Sequence, residues 1–403
     1  MSENGRPQID LMAGSFYASD PHAAFAWMRA NAPAFHDDAN DIWGVTRYED
    51  VRAIGQDPLT FSSARGSRPG LAMPFMIDMD APEHRHRRRL VSWGFTPRAV
   101  EDRRGRIAEV CDTILDRICE QGGCDLVSDI ATPLPLVMIA DMLGFPEEDW
   151  GRLLHWSDTM LVSQGSSAPD ALERATEAFV EWDEYVRRHI ADRRSRGTTD
   201  DLLGALVNGT GEGGELDEDS LVHEALLILI GGDETTRHVI SGGTEALLRH
   251  PDQWDMLRKD LDLVPGAVEE MLRWVSPIQN MNRTATRDVE LHGEVIAEGD
   301  GVLLLYPSAN RDEAAFPDAG TFDIRRHPND HVAFGFGAHF CLGQRLARAE
   351  LAGIVHALLQ RLDGLALADD GPPPLRESNF IVGIESLPVT FPPSAPVSAP
   401  RSA

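Results

Sequence analysis

Lysine occurs once in the 403 residues, at Lys259, and cysteine only four times, at Cys111, Cys119, Cys124 and Cys341. So few thiols in so long a chain exclude a disulfide framework. No Cys-x2-Cys pair exists to suggest a zinc site. No uninterrupted apolar run is longer than Ala225–Ile230, far short of the roughly 18 residues of a membrane span. The N-terminus lacks a basic region followed by an apolar stretch, so no secretory signal is expected and the protein reads as cytoplasmic. Cations are few, 37 against 65 acidic residues, and the net charge of −28 argues against nucleic acid as a partner. There is no internal repeat and no Ser/Pro/Gly linker. Residues 1–391 therefore read as one domain, and 392–403, rich in Pro, Ser and Ala, as a disordered tail.

What is present is concentrated in a few places. Phe334-Gly335-Phe336-Gly337-Ala338-His339-Phe340-Cys341-Leu342-Gly343 sets one cysteine among glycines. Apolar residues then recur at 346, 351, 354, 355, 358 and 359, a helical period. Cys341 thus falls near a helix N-terminus, where the dipole and the free N–H groups favour a thiolate. A thiolate in such a loop can ligate iron, and on haem iron it favours O–O cleavage. Cys111, inside the apolar run Val110–Ile118, reads as a small buried hydrophobe.

A second pattern predicts a long helix over Leu221–Arg249, ended by His250-Pro251. Two adjacent glycines inside it, Gly231-Gly232, cost about 1 kcal/mol each against alanine, which suggests that a flat ligand needs the space. Thr235 is placed to bond the carbonyl four residues back, and Glu234 beside it adds an acid to an alcohol. Glu270 and Arg273 share a helix face at i, i+3. The cluster His84-Arg85-His86-Arg87-Arg88-Arg89 follows Asp80-Ala81-Pro82, a cap with an early-helix proline. His84 and Arg88 fall on one face at i, i+4.

The Cys341 loop resembles the haem-thiolate signature of the cytochrome P450 family, and the similarity runs from about residue 10 to 390. It implies a mainly α fold with small β-sheets, in which haem b lies between the long central helix and the Cys341 loop. It implies Cys341 as axial iron ligand, and His84, Arg88, Arg283 and His339 as partners of the haem carboxylates. Thr235 and Glu234 match the pair that relays protons to iron-bound dioxygen, and Arg326 matches the partner of Glu270 and Arg273. With no flavin or nicotinamide domain in the chain, electrons are expected from a ferredoxin and its reductase. Arg85, Arg87 and Arg89 cannot all face one haem edge, so some of them are expected to point outward and, with Arg345 and Arg348 near the same side, to form a basic docking patch for that acidic donor.

Five apolar stretches are candidate pocket walls: Met73–Met79, Met160–Gln164, Leu226–Gly232, Ile278–Met281 and Phe380–Ile384. Leu161–Leu172 is the candidate entrance. Leu226–His238, Ser241–Glu245, Met76–Asp80 and Asn379-Phe380 are similar to bacterial cholesterol side-chain hydroxylases, which oxidise the terminal methyl of cholesterol or cholest-4-en-3-one. The expected activity is hydroxylation of such a side chain. Tailoring of a polyketide or terpenoid is the alternative within the class. A peroxide-driven oxygenase or a non-catalytic haem-binding protein is the alternative outside it.

Overall fold

The computed structural model describes residues 7–162, 170–197, 200–209 and 214–397. The elements that position the site, in chain order, are β1 (Ala34–Asp37), β2 (Ile42–Val45), α1 (Tyr48–Gln56), β3 (Phe61–Ser62), α2 (Glu83–Val91), α3 (Arg104–Asp116), α4 (Pro133–Leu143), α5 (Trp150–Val162), α6 (Ala171–Arg196), α7 (Glu218–Arg249), α8 (Val264–Val275), β4 (Asn280–Ala285), β5 (Gly301–Leu305) and α9 (Gln344–Arg361). The fold is mainly helical with small sheets, as expected.

Helix α7 starts three residues before the predicted position because Asp217 caps it, accepting from Ser220 N at 2.7 Å. It ends at His250 as predicted, but Pro251 also opens the next helix, Pro251–Lys259, at a position where its missing N–H is harmless. Helix α4 is apolar on nearly all faces and packs against α7 in the interior. Helix α8 crosses α7 so closely that a Cβ on Gly243 would stand 2.3 Å from Met271 Cε. Cys111 is buried in this helical core.

A five-stranded sheet, ordered β1-β2-β5-β4-β3, stands at the other end. β2 and β5 run parallel, and the remaining pairs are antiparallel. Strand β4 is buried on both faces, and its side chains alternate. Asn280 and Asn282 face away from the cavity, donating to Tyr17 Oη and Gly66 O, while Met281 and Arg283 face a central cavity.

Two expectations are corrected. Asp80 does not cap α2; its carboxylate accepts from Ser62 Oγ (2.5 Å) and Ser63 N (2.9 Å), tying the start of α2 to β3. The first half of the tail is anchored rather than free. Ser394 N donates to Cys119 O at 2.8 Å and Val397 N to Asp116 at 2.9 Å. Residues 398–403 lie outside the described residues, as do 163–169 of the expected entrance.

Candidate active site

The Cys341 loop is shaped by its glycines. Gly335 and Gly337 have φ of +68° and +78°, and a Cβ on Gly337 would stand 1.9 Å from Gly55 O of α1. Arg52 of α1 lies over the Phe336 ring at 4.2 Å. Cys341 N donates to Phe334 O at 2.9 Å, which closes the loop, and α9 begins three residues after the cysteine. Burial raises the Cys341 thiol. The N–H groups of Gly343 and Gln344 and the charges of Arg88 and Arg348 pull it down, but do not prevail. The helix start thus acts as predicted, and burial outweighs it.

Opposite the loop, across the cavity, runs α7. Thr235 Oγ1 bonds Gly231 O at 3.2 Å, the back-bond expected, and Thr235 lines the cavity. The two glycines divide their work. Gly231 opens on the cavity, with nothing within 4 Å of its would-be Cβ. Gly232 packs on α4, where a Cβ would stand 2.5 Å from Ile139 Cγ1.

At the cavity rim the structure gathers His84, Arg88, Arg283 and His339 with Cys341. Arg88 Nη2 donates to Phe340 O at 2.6 Å, and Arg283 Nη1 to Asn282 O at 2.7 Å. The His84 and His339 rings stack with centroids 4.1 Å apart. Burial, with nearby Arg88, lowers His84 to about 4. Burial, with Arg283, His84 and Arg88, lowers His339 to about 3. Both rings are therefore neutral at pH 7, each with one donor nitrogen.

Glu234 does not line the cavity with Thr235. Its carboxylate turns into a buried cluster with Arg237, His238 (3.4 Å) and Arg376 (3.1 Å), and Arg237 also bonds Asp158 at 2.5 Å. Burial opposes its ionisation, but the His238 hydrogen bond and the two arginines hold it well below the usual carboxylate range. One carboxyl does reach the cavity, and the sequence reading missed it. Glu350 is 2 % exposed, has a buried oxygen without a partner, and is raised well above its ordinary pKa by burial and by Asp233. The signal was available: an acid within the apolar stripe of α9.

The structural trio forms as expected. Arg273 and Glu270, both fully buried, meet at 2.6 and 2.8 Å, and Arg326 Nε lies 3.2 Å from Glu270. Asn329 and the N–H of Asp323 also donate to Glu270. The basic patch is corrected. Arg87 is buried against α7, and Arg348 is paired with Glu269, whereas Arg85 and Arg345 are exposed. Of the predicted walls, Met76, Ile77, Leu227, Ile228, Ile278 and Met281 line the cavity. Among the described residues no member of Phe380–Ile384 does; Phe380 instead lies under Arg68 at 4.4 Å. Nor do Met160 and Leu161, and Ser163 and Gln164 lie outside the described residues.

The residues present fit haem b. One sulfur is available for iron, donors at the rim suit carboxylates, and the cavity is flanked by a glycine that leaves room for a flat ring.

Residues 39–391 match the cytochrome P450 family model. The chain is 50% identical over 397 residues to a steroid C26-monooxygenase of Mycolicibacterium smegmatis, covering 98% of each. It is 49% identical to a protein of the same description from Mycobacterium tuberculosis, covering 97% of this chain and 99% of that one. Among solved structures, a Mycobacterium marinum cytochrome P450 in complex with pseudoionone superposes with a TM-score of 0.88 at 34% identity, covering 97% of this chain and all of that one. With its single cavity-facing cysteine, its glycine-opened central helix and this near full-length likeness, the chain belongs to the cytochrome P450 family and is a haem monooxygenase.

Proposed function

We propose that this protein hydroxylates the side chain of a steroid, cholesterol or a 3-ketosteroid, at its terminal methyl carbon, with electrons from a ferredoxin. The observation that carries the reading is the 50% identity, over 98% of both chains, to a steroid C26-monooxygenase. The cavity supports it: the walls contributed by Met76, Ile77, Leu227, Ile228, Ile278 and Met281 are apolar and suit a large apolar molecule.

In this reading Cys341 ligates the iron, and His84, Arg88, Arg283 and His339 hold the haem carboxylates. Haem, when bound, supplies the oxygen activation and oxygen transfer. The chain supplies position, dryness and protons. Gly231 leaves room beside the reacting end, and the apolar walls exclude water. Thr235 presents its hydroxyl to the cavity and hands on a proton. Glu234 recharges it from behind, which requires the carboxylate to let go of Arg376, the more exposed of its two arginine partners. Arg85 and Arg345, with Trp93 and Phe340 exposed at 41% and 36%, suit an acidic iron–sulfur donor.

Turnover of cholest-4-en-3-one with oxygen and reduced ferredoxin, analysed by mass spectrometry, tests the reading. A product hydroxylated at the terminal methyl is expected. Failure to bind or oxidise any sterol, with turnover of a macrolide precursor instead, would overturn the steroid assignment. Turnover with peroxide alone at the full rate would overturn the electron-transfer route.

A further inference from the structure

The basic run on α2 contains one arginine that serves neither the haem rim nor the surface. Arg87 is fully engaged: Nε donates to Glu83 (2.9 Å), Nη1 to Pro74 O (3.0 Å) and Glu224 (3.1 Å), and Nη2 to Ser220 Oγ (3.2 Å). Glu224 stands on α7 with its side chain 0% exposed. The N–H of Met76 lies close enough to favour its charged form, and its second oxygen is buried without a partner. Bringing two charges inside is rarely a gain in stability over an apolar contact. Such a pair is therefore better explained by what it holds in place.

What it holds is a strap. Asp78 closes the strap's neck by accepting from Ser67 N (2.7 Å) and Met73 N (2.9 Å). Beyond the neck the chain meets α2 and then α7 at three successive residues. Pro74 gives its carbonyl to Arg87, the Phe75 ring lies 5.7 Å from that of His223, and the N–H of Met76 lies near the Glu224 carboxylate. The next side chains inward, Met76 and Ile77, line the same cavity as Leu227 and Ile228 of α7. The position of this wall relative to α7 is thus held by contacts lying outside the cavity, among them the buried Arg87–Glu224 pair.

We propose that Arg87 and Glu224 are positioning residues for substrate selection: they clamp residues 74–77 to α7 and so fix the width of the cavity between Met76 and Leu227. Neither residue lines the cavity. The proposal rests on the reading of that cavity as the substrate site, and its first measurement does not need that reading to hold.

The test uses the full-length, haem-loaded protein and the variants Glu224→Ala, Glu224→Gln, Met76→Ala and the double variant Glu224→Ala/Met76→Ala. The first measurement is chymotryptic cleavage at Phe75, mapped by mass spectrometry. It should rise several-fold in Glu224→Ala and stay near wild type in Glu224→Gln, which keeps the hydrogen bonds. The second is binding of cholest-4-en-3-one, followed by the haem absorbance change. Glu224→Ala should weaken it on the order of tenfold with kcat little changed, and Met76→Ala should do much the same. The double variant should be no worse than either, because both act on one wall. An unaltered carbonyl spectrum in each variant certifies the fold. Unchanged cleavage in Glu224→Ala would overturn the clamp. Additive losses in the double variant, or a fall in kcat with affinity preserved, would overturn the positioning role. If wild type binds no sterol while cleavage responds as described, it is the steroid reading that fails, and the affinity arm is then run with whichever substrate binds.

Discussion

Gly231 and Gly232 look equivalent in sequence, yet they should respond oppositely to the same added methyl group. Alanine is favoured over glycine inside a helix by about 1 kcal/mol, and both substitutions collect that gain. At Gly231 nothing opposes it, since no atom lies within 4 Å of the new Cβ. Gly231→Ala should therefore stabilise the fold by about 1 kcal/mol, and its only other effect should be a narrower cavity beside Thr235. At Gly232 the new Cβ meets Ile139 Cγ1, Cβ and Cδ1 at 2.5 to 2.8 Å. Ile139 is 2% exposed and borders the cavity, so it can give way only on that side. Overpacking of this kind costs about 1–3 kcal/mol, which cancels or exceeds the helical gain. Urea unfolding followed by circular dichroism should separate the two variants by about 1–3 kcal/mol, with Gly231→Ala the more stable. Adding Ile139→Ala to Gly232→Ala should recover part of the overpacking, a coupling absent when Ile139→Ala is added to Gly231→Ala. Equal effects of the two alanines, or no coupling with Ile139, would refute the argument that one glycine serves the cavity and the other a helix crossing.

Four further outcomes are expected. Arg376→Gln removes one cation from Glu234, so the Glu234 carboxylate should take up protons at higher pH, and the acid limb of the pH–rate profile should move up; an unmoved profile removes Glu234 from the proton route. Burial pushes Glu224 up to about 7 against Arg87's opposing pull, so the folded state holds this proton more tightly than the unfolded chain. That contribution to stability is fully present below an unfolded pKa of about 4.5 and is lost as pH rises through about 7. Unfolding free energy should therefore fall between pH 5 and pH 8 by up to about 3 kcal/mol more in wild type than in Glu224→Gln. Arg273→Lys should cost about 3–5 kcal/mol in urea unfolding, because lysine cannot bridge Glu270 and the carbonyls of Asn310, Ala319 and Thr321 together. Cys341→Ala should abolish the carbonyl spectrum typical of thiolate-ligated haem; its persistence would exclude Cys341 as the ligand.

The parts of the site that were legible in the sequence are those fixed by local geometry. The i, i+4 spacing of His84 and Arg88 and the back-bond of Thr235 need only one helix, and the loop glycines need only a backbone that goes left-handed. The trio of Glu270, Arg273 and Arg326 was legible only through the family resemblance, because Arg326 lies in an irregular segment with no period to read. What failed were statements about which way a charged side chain turns. Glu234 precedes Thr235, and one helical residue is a turn of about 100°, so the two cannot share a cavity-facing position. Adjacency in sequence pairs them, whereas α7 sends one inward and the other into a cluster completed by Asp158 of α5 and Arg376.

The same arithmetic applies to the basic run on α2. Arg87 lies about 60° behind His84, and Arg88 about 40° ahead of it. Arg87 therefore belongs to the buried side and could not have joined Arg85 and Arg89 on the surface. Its burial made sense only once a second helix with an acid at the matching height was known. Glu224 is that acid, four residues after Ser220, so that both face α2 along one stripe of α7. Three residues beyond Glu224, Leu227 begins the cavity-facing stripe of the same helix. Helix α7 thus measures the cavity with one side and anchors its opposite wall with another. A change at Glu224 should therefore reach the substrate without touching it, whereas a change at Arg85, on the same basic run, should reach only the electron donor.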